Sequence, residues 1–244
     1  MVYSTFWIGK WDPEPAFMRI AAFIWGAIGS VTFTMLFTLL VWEPLAPSSQ
    51  FTGATIQAPV VEEFAKGIFI LVVALFFKKY MNSPVDGVVY ILLVAAGFAF
   101  TENILYFTQS LAAGGTEALS QTFVLRGVLS PFAHSMFSLP MGILLGLAVR
   151  KHYNAGKILL MFLAGYLPAM LLHGLWNGSS FFIEDMNLWF LFYGIVQLPL
   201  FIGAVYVVAW LRQQEALRTY KYLTAYGHKG WFTAEEIQTF GSFA

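Results

Sequence analysis

The chain has 244 residues, of which 59% are hydrophobic, 18% aromatic and only 11% charged, and its mean hydropathy is +0.70. A soluble domain of this length carries far more charge, so the composition indicates an all-α, polytopic integral membrane helical bundle. The formal net charge is zero and no basic patch suits nucleic acid, while the absence of cysteine excludes disulfides, thiol catalysis and thiolate zinc sites.

In chain order, Phe6, Trp7 and Trp11 read as an interfacial stretch ahead of the first apolar run. That run, from near Ile20 to Trp42, exceeds the h-region of a signal peptide and is expected to stay as an anchor helix. Six runs are long enough to cross a hydrocarbon core of ~30 Å, at about 17–42, 58–77, 85–108, 124–148, 157–180 and 188–211. The expected organisation is a transmembrane domain over 1–211 and a short tail over 212–244. An even number of spans puts both termini on one side. On that side fall Lys10, Arg19, Lys78, Lys79, Arg150, Lys151, Lys157, Arg212, Arg218, Lys221 and Lys229, 11 of 13 basic residues, which makes it cytoplasmic. The opposite loops carry Glu43, Glu117, Glu184 and Asp185, with Arg126 near a helix end. The expected location is the cell membrane, multi-pass, with lipid as the surrounding partner.

Local signals mark the boundaries. Asn82-Ser83-Pro84 opens the third span with proline at the first helical position, and Thr233-Ala-Glu-Glu236 matches a capping box in the tail. Trp42, Tyr106 and Trp189 suit an outer aromatic belt, and Tyr80 and Trp210 an inner one.

Four ionisable residues sit inside four different apolar runs. Sixteen positions separate Glu62 from Lys78, Glu102 from Asp86, His134 from Arg150 and His173 from Lys157. At 1.5 Å per helical residue, each lies about 24 Å from the cytoplasmic face, in one polar layer towards the outer leaflet. Charges in hydrocarbon cost at least ~2.5–3.5 kcal/mol each, so such a layer points to function.

Each member has neighbours at helical spacing. Lys66 is i+4 from Glu62 and i+3 from Glu63, so it can neutralise one carboxylate and leave the other free to titrate. Which one is not fixed by spacing. Glu102 is followed by Asn103. His134 shares a face with Ser138, and Pro131 removes a backbone donor nearby, which favours a kink that opens space. His173 and Asn177, also i,i+4, can donate to a single point, as an oxyanion hole requires.

The set Glu62-Glu63-x-x-Lys66, Phe98-x-x-x-Glu102-Asn103, His134-x-x-x-Ser138 and His173-x-x-Trp176-Asn177 resembles the PrsW family of intramembrane proteases over roughly residues 60–180. That family is related to the CAAX-protease and bacteriocin-processing group, from which this chain departs by having Lys66 where the group has Arg one place later. The resemblance implies an intramembrane endopeptidase that cuts a membrane-anchored protein, in some members an anti-sigma factor, on the extracytoplasmic side. It implies Glu62 or Glu63 as general base, His134 orienting water, His173 with Asn177 stabilising the oxyanion, and Glu102 sharing the proton. The double glutamate and the His/Asn pair favour metal-free, glutamic-type chemistry. Zinc held by Glu62, Glu102, His134 and His173 is the metalloprotease alternative. A proton- or ion-coupled transporter is the competing function, though a relay would spread its acids and histidines across the membrane.

Overall fold

The computed structural model describes residues 2–10, 12–46, 48–183 and 185–241, and every regular element among them is helical. Trp11 and Glu184 lie outside the described residues. After the short helix α1 (Val2–Ile8) comes α2 (Ala16–Leu45), interrupted by π-helical turns at Trp25–Ser30 and Thr38–Trp42. Phe6 and Trp7 on α1 are exposed, as the interfacial reading expects, and the Arg19 guanidinium sits 3.5 Å from the centre of the Phe6 ring. Next come α3 (Ala58–Phe76), α4 (Pro84–Phe123), α5 (Ala133–Arg150), α6 (Ala155–Phe182), α7 (Met186–Phe192), α8 (Leu198–Gly227) and α9 (Ala234–Gly241).

Four helical stretches among the described residues are long and apolar enough to cross a membrane: Ala16–Leu45, Pro84–Arg150, Ala155–Phe182 and Asn187–Gly227. The count differs from the expected six for two reasons. α3 is apolar but carries three charged residues, Glu62, Glu63 and Lys66, and Pro84–Arg150 contains two of the expected spans. The connection expected between those spans is itself helical. The chain doubles back at Gly114 and Gly115, where Gly115 has φ +66° and ψ −154°, a conformation open to glycine and little else. Across this hairpin Ser110 Oγ meets Thr122 Oγ1 at 2.7 Å and the Phe107 and Phe123 rings lie 5.9 Å apart.

Helix starts follow the sequence signals. Ser83 caps α4, with Asp86 reaching back to the Ser83 amide in a complete capping box. Asn154 caps α6 through the Lys157 amide. Pro131 does more than kink its helix. A π-helical segment, Val124–Leu129, ends at Ser130, and α-helix resumes only at Ala133, so the expected span 124–148 is broken into two pieces. Side-chain hydroxyls tie down carbonyls at the break: Tyr193 Oη donates to Leu129 O at 2.7 Å, and Ser130 Oγ donates at 2.6 Å to Leu125 O, which also accepts from the Ser130 amide.

Two compact units are present, with the division after Phe201. In the first, α4 and α5 form the buried centre, including Val88, Val89, Tyr90, Ile91, Val94, Met141 and Leu145. Their backbones touch. A Cβ placed on Gly87 would stand 2.1 Å from Gly142 O, and one on Gly26 of α2 would stand 1.9 Å from Val94 O. Small residues permit such approach where lipid offers no hydrophobic drive between helices. Leu160, Leu163, Leu167 and Leu171 make an exposed apolar stripe on α6, as a lipid-facing surface would. The second unit starts at Ile202, ahead of the expected boundary at 211/212. Within it, Thr233 and Glu236 form the expected capping box of α9, and Ile237 is buried.

Candidate active site

Glu62 and Glu63 are adjacent on α3, so helical geometry sends them about 100° apart. They meet different surroundings. Glu63 is fully buried and every oxygen is used: Oε1 accepts from Lys66 Nζ at 2.5 Å and contacts His173 Nδ1 at 2.9 Å, while Oε2 accepts from Ser138 Oγ at 2.5 Å. Glu62 lines a cavity of about 490 Å³, and its buried Oε2 has no hydrogen-bond partner among the described residues. Two further bonds hold α3 from outside. Trp25 Nε1 of α2 donates to Ala65 O at 3.0 Å, and Tyr166 Oη of α6 donates to Val60 O at 2.7 Å.

The four groups expected in one layer converge. His173 Nε2 lies 3.8 Å from Glu62 Oε2, the His134 and His173 rings are 5.2 Å apart and perpendicular, and His134 Nε2 is 2.7 Å from Glu102 Oε2. Lys66 joins the layer at 3.1 Å from His134 Nδ1. A lysine nitrogen can only donate to that ring atom, so Nδ1 accepts and Nε2–H is left to donate to Glu102. Phe137 stacks on His173 with ring centres 4.9 Å apart, and Phe98 lies 5.3 Å from His134, so packing fixes both imidazoles. The line from Ser138 through Glu63 to His173 is a hydrogen-bonded chain that sets which ring nitrogen faces the cavity.

Asn103 and Asn177 also line the cavity, but their amides are engaged elsewhere than the spacing suggested. Asn177 Nδ2 donates to Ala54 O at 2.9 Å, and His173 Nδ1 is turned to Glu63. The physical reason is the π-helical segment Gly53–Gln57 ahead of α3, which brings a backbone carbonyl within reach of Asn177. Asn103 Oδ1 accepts from Arg126 Nε at 2.7 Å.

Arg126 is the residue that sequence reasoning missed. It bridges Asn103 and Glu102, forming an ion pair with Glu102 Oε2, and its guanidinium lies 3.9 Å from the centre of the Tyr106 ring. Its lone basic charge among acidic outer loops was the available signal. Tyr106 and Trp189, expected as belt residues, are both cavity walls.

Among the described residues, Glu62, His134 and His173 offer ligand atoms that all lie within 4.8 Å of one another. Two imidazoles and a carboxylate are a zinc-hydrolase donor set. The unpartnered Glu62 Oε2 and the His173 Nε2 beside it fit such an ion, and the Glu63 carboxylate behind His173 is the support that a ligating imidazole needs. Glu102, the fourth ligand of the expected set, is outside this group. Its Oε2 is shared by His134 and Arg126.

The chain matches the family described as PrsW family intramembrane metalloprotease over residues 14–204. It is 32% identical over 185 residues to Protease PrsW of Clostridioides difficile (strain 630), covering 72% of this chain and 74% of that protein. It is 31% identical over 165 residues to Protease PrsW of Oceanobacillus iheyensis, covering 67% and 70%, and 28% identical over 198 residues to that of Geobacillus kaustophilus, covering 80% of each. No solved structure matches the chain.

Proposed function

The chain belongs to the PrsW family of intramembrane proteases and is a multi-pass membrane protease, and from that premise we propose that it hydrolyses a peptide bond of a membrane-anchored protein near the extracytoplasmic face. An anti-sigma-factor-like protein is the substrate class that the resemblance implies. The observation that carries the site is the Glu62–His173 pair: a buried carboxylate oxygen without a partner, 3.8 Å from an imidazole nitrogen, on the wall of a cavity large enough for a peptide segment.

Glu62, His134 and His173 are the residues that would hold a divalent ion of the zinc type. When bound, such an ion would polarise a water and the scissile carbonyl. Glu63 holds the His173 ring by its Nδ1, and Lys66 and Ser138 hold Glu63. Glu102, at 2.7 Å from His134 Nε2, is the carboxylate left to receive a proton from the water, with Arg126 as its counter-charge. Asn103 and Asn177 border the same space. Glutamic-type catalysis is the second reading. It is favoured by the engagement of both His134 ring nitrogens, one with Lys66 and one with Glu102, and in it Glu62 takes the proton directly.

The test separates the two. Purified protein is expected to contain one equivalent of zinc-class metal, to lose cleavage to a chelator, and to lose the metal with Glu62→Gln or His173→Ala. Metal-free protein that cleaves in chelator establishes the glutamic reading instead, with Glu62→Gln then costing about 10²–10⁴-fold. Undiminished cleavage of a tagged single-span protein by both variants overturns the site. For orientation, Asp185→Cys is expected to react with an impermeant reagent applied outside intact cells. Labelling only from the cytoplasmic side reverses the topology.

A further inference from the structure

A second cavity, of about 140 Å³, adjoins the first and shares Ser130, Pro131, Ala133 and Trp176 with it as walls. It therefore begins one residue from His134, on the far side of the helix break. Two π-helical segments border it, Val124–Leu129 and Tyr193–Gln197. Gln197 closes one of them. Its side chain is only 3% exposed, yet neither Oε1 nor Nε2 has a hydrogen-bond partner among the described residues.

None of the neighbouring polar groups bonds it. Tyr193 Oη is committed to Leu129 O and Ser130 Oγ to Leu125 O. The other lining groups include Val128, Met136, Leu198 and Phe201, which are apolar. A buried amide with both its donor and its acceptor unspent is unfavourable, and native structures keep such a group where something else completes it.

A membrane-spanning substrate supplies what is missing. Its scissile bond is hidden while the segment is helical, so the segment must unwind next to that bond. Unwinding in hydrocarbon frees peptide N–H and C=O groups that need partners. A primary amide offers a donor and an acceptor side by side, matching the N–H and C=O that one extended residue points to the same side. The cavity size fits one side chain: a void of about 150 Å³ takes a single benzene ring.

We propose that this cavity is a side-chain subsite for the unwound stretch of substrate beside the scissile bond. It takes one apolar side chain of leucine to phenylalanine size, while Gln197 hydrogen-bonds the backbone N–H and C=O of the residue that carries it. The proposal rests on the protease reading, and its test does not require cleavage.

In the Glu62→Gln protein, a photoreactive benzophenone amino acid is placed at Leu198 and, as a control, at the exposed Ile195. The probe is a set of tagged fusion proteins with one Leu/Ala membrane segment, a Gly-Ser pair near its extracytoplasmic end, and one variable position after that pair. Cross-linking at 198 is expected to exceed that at 195, to be strongest with Leu or Phe at the variable position and weakest with Trp, and to fall when Met136→Trp fills the cavity. Gln197→Met is expected to weaken it about tenfold, the worth of one buried hydrogen bond, with thermal stability unchanged or raised. A structural role for Gln197 would lower stability instead. Equal cross-linking at 198 and 195, or none of these dependences, overturns the subsite. Failure of the protease reading shows separately, as cleavage that Glu62→Gln leaves intact.

Discussion

Lys66 on α3 touches His134 on α5 at 3.1 Å while donating to Glu63 at 2.5 Å, so one ammonium ties the glutamate pair of the second expected span to the histidine of the fourth. Both ends of the Lys66–Glu63 pair are fully buried. Lys66→Met leaves Glu63 with an uncompensated charge in a dry interior. That should cost about 3–5 kcal/mol, read as a lower unfolding temperature in detergent. Adding Glu63→Gln to Lys66→Met should recover part of the stability and none of the activity, since His173 would still have lost its carboxylate support.

Arg126→Gln removes the counter-charge of Glu102 and the donor to Asn103, in a side chain that supports the reacting groups from behind. Cleavage should fall about 10- to 100-fold with the thermal transition little changed. Arg126→Lys should recover only part of the rate, because an ammonium cannot span both partners as the planar guanidinium does. Steady-state cleavage of a tagged single-span protein by the three forms measures this.

Gly115→Ala forces a side chain into the φ +66° turn of the α4 hairpin and should cost about 1–3 kcal/mol. Gly87→Ala should do more to activity, because its Cβ would push against Gly142 O and part α4 from α5, the helices that carry Glu102 and His134. Gly203→Ala, in open space, should be neutral or stabilise by up to about 1 kcal/mol. Thermal unfolding of the three variants ranks them.

Near the cytoplasmic end by the sequence reading, burial pushes the Glu14 carboxyl up to about 8, and the nearby Asp86 charge adds to the shift. An acid whose pKa is raised by folding binds its proton more tightly in the folded state. Stability should therefore decline as pH rises from about 5 to 8, by up to about 1.4 kcal/mol per unit. Glu14→Gln should flatten that profile and stabilise the protein at pH 8. Unfolding temperatures across this range, wild type against variant, check it.

Much of this site was legible in the sequence, because ionisable groups in apolar helices stand out and helical rise converts position into depth. That arithmetic brought together Glu62, Glu102, His134 and His173, which lie on four different elements. It could not choose between Glu62 and Glu63. Adjacent residues share a depth and differ only in azimuth, which is set by tertiary neighbours. It also could not pair Asn177 with Ala54, since that contact depends on a π-helical turn that no spacing rule anticipates. Arg126 was hidden for a different reason: near a helix end, a single arginine looks the same whether it marks topology or reaches inward. Pro131 located the helix break correctly but gave no measure of its size. The six apolar runs were visible as such, while the glycine pair that folds two of them into one helical hairpin was not.

The bonds from Trp25 to Ala65 and from Tyr166 to Val60 grip α3 just outside the glutamate pair, one from α2 and one from α6. They act as pins on the clocking of that helix. A rotation of one residue would carry Glu63 to the azimuth that Glu62 holds and turn Glu62 about 100° further away, out of the cavity wall. The unequal roles of two chemically identical neighbours are thus decided by an indole and a phenol on other helices, and activity can be lost there without altering any ionisable residue.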